Sequence, residues 1–439
     1  MRFTTVATIG LAGLAAVDAI PTISTKGTKL FTSDGKQFFV KGIAYQLVPA
    51  DPLIDNKQCS LDANLMKTLG TNSIRVYHVD PSVKHDDCMK TFADAGIYIW
   101  LDLDTFDTQI NPDEPAWNQS QVGRFEQVMD AFHQYDNLAG FFVGNEVLSK
   151  PHNGPAAPYV KAAARDMKAY RDRKGYRKIP IGYSAADIAS LRPMQQNYLA
   201  CGSNSAEALD FYSLNSYSWC GDSDYMKSGY VDLVKRVKDA GYNIPIFISE
   251  TGCVEPPNRD FKDMEAIFGD DMLPYYSGAI VYEWIQEQNQ YGIISYGPKV
   301  DPAAPSAPPD GFPRSGTPTP KNPDFSNLSE RWKTLNPSGV KMSEYNPTLT
   351  APPCPAFTSD AWAVDPTSKL PTIGQIHNAA ATPTSSSGGS SNGTGSAGEQ
   401  GNGTPSPGGK GAAPGGLSKE WNNMGLGLVG MLAGMFMWM

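Results

Sequence analysis

The chain contains neither Cys-x-x-Cys nor His-Glu-x-x-His, so the spacings that hold zinc are missing and no metal site is expected. No GxGxxG follows the first apolar run, which argues against a dinucleotide-binding open sheet. Charged residues are scarce at 18%, the basic ones are scattered rather than striped, and the net charge is −9. Phosphate binding needs clustered Lys and Arg, so nucleic acid is excluded as a partner. The apolar runs at the two ends both fall short of the roughly 20 residues that span a bilayer.

Those two ends read as processing signals. Met1-Arg2, an apolar stretch from Thr4 to Val17 and Val17-Asp18-Ala19 have the order of a signal peptide over residues 1–19. At the other end, Gly425–Met439 is apolar and uncharged, LSKEWNN precedes it, and small residues lie around Gly408–Ala413. Small residues, polar spacer and apolar tail in that order are the signal for transfer to a GPI lipid, with Gly411 the expected attachment point. An ordinary C-terminal membrane helix is the alternative. Six cysteines, Cys59, Cys88, Cys201, Cys220, Cys253 and Cys354, read as disulfides behind a signal peptide. Asn118, Asn327, Asn392 and Asn402 each open an N-glycosylation sequon.

Composition divides the chain into a signal peptide (1–19), a folded domain (20–378), a stalk (379–416) and an attachment signal (417–439). The stalk is mostly Ser, Gly, Thr, Pro and Ala, has no aromatic residue and cannot bury a core. The Pro-rich residues 302–324 are followed by aromatics and Cys354, so they read as an ordered excursion of the domain. Eight short runs rich in β-branched and aromatic residues stand at 38–46, 72–79, 96–103, 138–146, 178–185, 210–217, 244–252 and 278–285. Helical patterns separate them. One carries Val122, Phe125, Val128, Met129 and Phe132; another runs from Tyr159 to Lys174 and stops at Gly175. Eight strands alternating with helices predict a (β/α)8 TIM barrel.

A barrel puts its active site at the carboxyl ends of its strands. The fourth run ends Gly144-Asn145-Glu146 and the seventh Ser249-Glu250-Thr251-Gly252. Burying a carboxylate at a strand end costs several kcal/mol unless it is paired. Either glutamate could simply make structural hydrogen bonds there. Together they suit glycoside cleavage, in which one carboxyl protonates the leaving oxygen and another attacks the anomeric carbon. The amide of Asn145 beside the acid can hold a sugar 2-hydroxyl. Tyr77 and Tyr282 serve as sugar-stacking rings or donors to the nucleophile, or as plain core. Asp187 could pair with Arg192. Tyr217 and Trp219, near the end of the sixth run, are candidates for an aromatic cleft wall.

The motifs FFVKGIAYQ, NSIRVYHVDP, LDL, FFVGNEV, YSAAD, NSYSWCG and ISETGC closely resemble glycoside hydrolase family 72, the fungal GPI-anchored β-1,3-glucanosyltransferases that remodel cell wall. The likeness covers roughly residues 22–355. It implies Glu146 as acid/base and Glu250 as nucleophile. It implies sugar contacts for Tyr77, Asn145, Asp187, Arg192 and Tyr282, and a glucan-lining loop from Asp104 to Asn111. It also implies disulfides Cys59–Cys88, Cys201–Cys354 and Cys220–Cys253. No cysteine follows Cys354, so the family's cysteine-rich glucan-binding module is not expected. The implied protein is a monomer at the outer face of the plasma membrane or in the wall, with β-1,3-glucan as donor and acceptor and no cofactor. An endo-β-1,3-glucanase would use the same carboxylates with water as acceptor, and a non-catalytic wall-binding barrel is the other alternative.

Overall fold

The computed structural model describes residues 19–47, 50–359 and 361–377. Most of the signal peptide, the stalk, the attachment signal, Asn392, Asn402 and Gly411 lie outside them. All eight apolar runs become strands of one closed parallel barrel: β1 (Val40–Ala44), β2 (Ser73–Val76), β3 (Tyr98–Asp102), β4 (Leu138–Asn145), β5 (Ile181–Ala186), β6 (Phe211–Asn215), β7 (Ile246–Thr251) and β8 (Tyr276–Val281). They are buried almost throughout, as strands between a helical ring and a filled interior must be.

A helix follows each strand: α1 (Asn56–Leu69), α2 (Asp86–Asp94), α3 (Gln119–Phe132), α4 (Ala157–Arg173), α5 (Arg192–Ala200), α6 (Tyr230–Asp239), α7 (Asp263–Ile267) and α8 (Asp324–Thr334). Their starts and stops follow local chemistry. Asn118 caps α3 by accepting from Ser120 N and Gln121 N, while Gln121 reaches back to Asn118 N. Helix α1 stops at Gly70, whose φ of +84° suits a residue without Cβ. The α3 residues Val122, Phe125, Val128, Met129 and Phe132 are all buried.

The sequence reading missed the amino end of the barrel. Residues Ile23–Lys26, Lys29–Thr32 and Gln37–Phe38 form a three-stranded antiparallel sheet, so the first apolar run begins on the last residue of that sheet, two residues before the barrel strand. Ile23, Leu30 and Phe38 pack against Tyr98, Trp100, Phe142, Phe211 and Phe247, which fill the barrel interior. The rings of Trp100 and Phe247 lie 4.8 Å apart, and those of Phe142 and Phe211 5.2 Å apart. The floor of the barrel is therefore solid, and its opening is at the strands' carboxyl ends.

The three disulfides are Cys59–Cys88, Cys201–Cys354 and Cys220–Cys253, the pairings implied by the family resemblance. The second closes 153 residues and fixes the segment after α8 against α5. Beyond it, Trp362 is buried against Tyr198, and Gln375–Ile376 pairs with Ala116–Trp117. Among the described residues no helix is long and apolar enough to cross a membrane.

Candidate active site

Both glutamates sit at the mouth. Glu146 follows the last residue of β4, and its φ of +50° is a conformation that non-glycine residues adopt at a cost of about 1–3 kcal/mol. A bond from its N–H to Ser184 O at 2.8 Å holds the backbone there. Glu250 lies in β7, opposite Asn215 of β6, where the register slips after Leu214. The β4–β5 register also slips, between Phe142 and Asn145. Such irregularities re-aim the side chains beyond them, and both fall at the strand ends that carry the candidate residues.

The two carboxyls have different surroundings. Glu250 accepts three donors: Tyr77 Oη at 3.0 Å and Arg75 Nη1 at 3.3 Å on Oε1, and Tyr217 Oη at 2.8 Å on Oε2. Glu146 accepts one, Asn215 Nδ2 at 3.0 Å. Burial raises both carboxyls. It carries Glu250 up to about 7, helped by the charge of Glu146 and opposed by Arg75 and the two tyrosines. Burial raises Glu146 with only the Asn215 bond and Arg75 against it. Two neighbouring carboxylates, one buried and one half-buried, cannot both stay charged cheaply, and donors favour the ionised form. Three donors against one favour the negative charge on Glu250 over Glu146, while deeper burial pushes Glu250 the other way.

Arg75 organises this arrangement, and the sequence reading passed over it although it stands within the apolar run NSIRVYHV. Its guanidinium is fully buried between the rings of Tyr77 and Phe142, at 4.3 and 4.4 Å from their centroids. It grips Asp102 with two parallel bonds of 3.1 and 2.9 Å. The remaining hydrogens reach Ser184 Oγ, Glu250 and Asn145 Oδ1 at 2.9, 3.3 and 3.0 Å. A planar fork with five donors suits this better than an ammonium would.

Asn215, also missed, is oriented by the same logic. Its Oδ1 accepts from Ser184 Oγ and Ser249 Oγ at 2.9 and 2.8 Å, so its amide nitrogen must face Glu146 and Asn145. Asn145 Oδ1 is then taken by Arg75 and Asn215. Among the described residues no acceptor takes up Asn145 Nδ2.

Tyr282, expected as a sugar contact, lies in the same rim. Its ring meets Tyr77 edge-on at 6.4 Å and Tyr291 at 5.4 Å, and Tyr291 meets Tyr217 at 5.6 Å. Four tyrosines thus wall the Glu250 side. Tyr291 comes from the loop after β8, where no periodic pattern marked it.

Other expected residues lie further out. Asp187 accepts from Ser216 Oγ at 2.9 Å and pairs with Arg192, the first residue of α5, so the ion pair considered from sequence is present. Asp104 is buried beside Asp102 and rises to about 8, through burial first and the neighbouring acid second. Asn111 is exposed and caps its own loop by accepting from Asp113 N at 3.0 Å, without contact to either glutamate. Trp219 packs at a tilt against Tyr230 of α6, at 5.4 Å, rather than joining the tyrosine rim. A cavity of about 600 Å³ lies toward the amino-end sheet, and none of the candidate residues lines it. Of the sequons, Asn118 is exposed at its helix cap, whereas Asn327 lies within α8 and spends its Nδ2 on Arg259 O at 2.7 Å.

Comparison with known proteins gives concordant results. A family model for glucanosyltransferases, glycoside hydrolase family 72, matches residues 12–301. A 1,3-beta-glucanosyltransferase of Arthroderma benhamiae is 41% identical over 338 residues, 74% of this chain and 58% of that protein. The gas2 1,3-beta-glucanosyltransferase of Schizosaccharomyces pombe is 38% identical over 359 residues, 77% of this chain and 73% of that one. Among solved structures, Saccharomyces cerevisiae Gas2p in complex with laminaritriose and laminaritetraose superposes with a TM-score of 0.71 at 38% identity, over 81% of this chain and 77% of that chain. The chain spans less than two-thirds of the length of the Arthroderma protein and of several other curated relatives that it matches.

Proposed function

The chain belongs to the glucanosyltransferase family, glycoside hydrolase family 72, and on that premise we propose that it cleaves β-1,3-glucan internally and joins the new reducing end to a second glucan chain. The observation that carries the assignment of roles is the unequal donor set: three donors on Glu250 against one on Glu146. An ionised Glu250 is the nucleophile and a protonated Glu146 the acid.

In the first step a Glu250 oxygen attacks the anomeric carbon of an internal glucose. The bond to the departing 3-oxygen breaks, and that oxygen takes the proton of Glu146. Because one charge is consumed as Glu250 becomes an ester, Glu146 can hold its new charge without a charged neighbour. In the second step Glu146 takes the proton of an incoming 3-hydroxyl at the non-reducing end of another glucan. That oxygen displaces Glu250, and the configuration is retained. The free Asn145 Nδ2 is placed to hold the 2-hydroxyl of the sugar under attack, a contact that tightens as positive charge develops. The tyrosine rim offers ring faces and hydroxyls to the glucan, and Asp187, Arg192 and the loop from Asp104 to Asn111 extend the surface outward.

The structures of Gas2p with laminari-oligosaccharides support β-1,3-glucan as the ligand class. We further propose a folded unit of 20–378 as a monomer on a 379–416 stalk. Residues 1–19 and 417–439 are removed, and GPI attachment near Gly411 holds the enzyme at the outer membrane face or in the wall.

Product analysis on a reduced laminari-oligosaccharide tests the reading. Products longer than the substrate are expected from the intact protein. Glu146→Gln and Glu250→Gln are each expected to lose activity by about 1,000-fold or more. Shorter products alone would make the protein a hydrolase, and full activity in either variant would remove that residue from its role.

A further inference from the structure

Glu283 follows Tyr282 at the exit of β8 and is 1% exposed, and nothing in the cycle above uses it. Its Oε1 accepts from Asn289 Nδ2 at 2.7 Å and its Oε2 from Gln46 Nε2 at 2.8 Å. The same Gln46 nitrogen lies 2.6 Å from Tyr282 Oη and donates to it. An amide nitrogen has two hydrogens, so Gln46 is fully spent as a donor. Tyr282 Oη, having accepted one hydrogen bond, must send its own hydrogen elsewhere. Among the described residues no donor takes up Gln46 Oε1, and both Gln46 and Tyr282 are only half-buried, facing the mouth.

We propose that Glu283 is a positioning residue whose carboxylate holds the Gln46 amide nitrogen-inward, leaving Gln46 Oε1 and the Tyr282 O–H as an acceptor and donor pair for glucan hydroxyls. Turning the amide over would set its oxygen against a carboxylate oxygen and withdraw the donor from Tyr282. Burial, with Glu287 beside it, pushes the Glu283 carboxyl up to about 8, and the Asn289 and Gln46 donors oppose this. Amide N–H groups on both oxygens are the arrangement of an ionised carboxylate, which can only accept. The inference rests on the reading of this mouth as a glucan site.

The test is kinetic, on the whole protein, with a reduced laminari-oligosaccharide. Glu283→Gln is the isostere of the neutral acid and can present a donor where the carboxylate cannot. It is expected to raise KM about 10-fold while kcat stays within about twofold, because uniform binding is lost and the reacting groups are untouched. Gln46→Ala is expected to do the same. The double variant is expected to be no worse than Gln46→Ala alone, since Glu283 then has no amide left to orient. An unchanged KM in Glu283→Gln overturns the proposal, as do losses that multiply in the double variant, the mark of a merely structural role. Should Glu283→Gln not fold, Glu283→Asp takes its place: it keeps the charge but draws it back from Gln46, and the same KM rise and the same coupling are required. An intact protein that does not act on the oligosaccharide at all would instead sink the glucan reading beneath it.

Discussion

Replacing Tyr217 by Phe tests how the nucleophile is kept ionised. The ring stays to pack against Tyr291, 5.6 Å away, and the only bond lost is the 2.8 Å donation to Glu250 Oε2. A hydrogen bond to a charged group contributes about 1.5–3 kcal/mol. At about 1.4 kcal/mol per pH unit, removing it lifts the carboxyl by about 1–2 units. Glu250 starts at about 7, since burial already outweighs its donors. The sign follows from the role: Glu250 attacks only when ionised, so a higher value moves the acidic limb of the kcat/KM profile to higher pH. That limb belongs to the Glu146–Glu250 pair rather than to one residue, but the donor acts on Glu250 alone. Tyr217→Phe is therefore expected to lose about 10–100-fold on the acidic side and much less on the alkaline side, with melting near the parent's at pH 4 and lower at alkaline pH, where Glu250 must ionise without its donor. Tyr77→Phe, acting on the other oxygen, should move the limb the same way. The assay is initial-rate cleavage of a laminari-oligosaccharide across pH. A uniform loss with the limb in place would refute the reasoning, because it would mean that the hydroxyl serves the substrate and not the carboxylate.

Because its value in the fold is about 7, against an ordinary 4.5, ionising Glu250 opposes folding. Its contribution is present below the ordinary value and lost as pH rises through 7, about 3 kcal/mol in all. Glu250→Gln should thus melt several degrees higher than the parent at pH 8 and level with it at pH 4; an equal gap at both would contradict this. Asp62 is buried and accepts from Tyr45, Gln58, Trp284 and Tyr296 at 2.8, 3.1, 3.1 and 2.7 Å, joining α1 to the exits of β1 and β8. Asp62→Ala strands these donors and should destabilise by at least about 3 kcal/mol in a denaturant titration. Removing the Cys201–Cys354 bridge, which closes 153 residues, should lower stability by about 4–5 kcal/mol. Limited proteolysis should then cut first in the segment after α8, and unchanged cleavage would show that this segment is held by packing alone.

What could be read from the residues follows from what packing demands of them. Strands buried on both faces must be continuously apolar, so all eight barrel strands were visible, and an acid closing such a run stood out. The same continuity hid Arg75, Ser184, Asn215 and Ser249. Where both faces are buried, no alternation shows which side chains point inward, and a polar residue among apolar ones looks like an interruption. Arg75 was nevertheless detectable on energetic grounds, since a guanidinium inside such a strand requires a buried acceptor, and Asp102 closes the next strand. The amino-end sheet carried a signal as well, Asp34-Gly35 between short apolar pairs, with Gly35 at φ +85°. Tyr291 comes from an irregular loop, and only the fold brings it to the mouth; Glu283 stands inside the eighth apolar run and carried the same signal as Glu146 and Glu250. Asn111 shows the converse: the family resemblance alone singled it out, and its Oδ1 accepts from Asp113 N within its own turn.

The plugged floor of the barrel affects the traffic of chains. With Trp100, Phe142, Phe211 and Phe247 filling the interior and the small sheet beneath them, a polymer cannot thread through the protein and must lie across a single doorway. In the proposed cycle the severed fragment leaves by the doorway through which the acceptor arrives, so the two compete for the same side of the ester. Added fragment should therefore slow transfer by occupancy, and crowding by free chain ends in the wall would set the pace of elongation as firmly as the two carboxyls do.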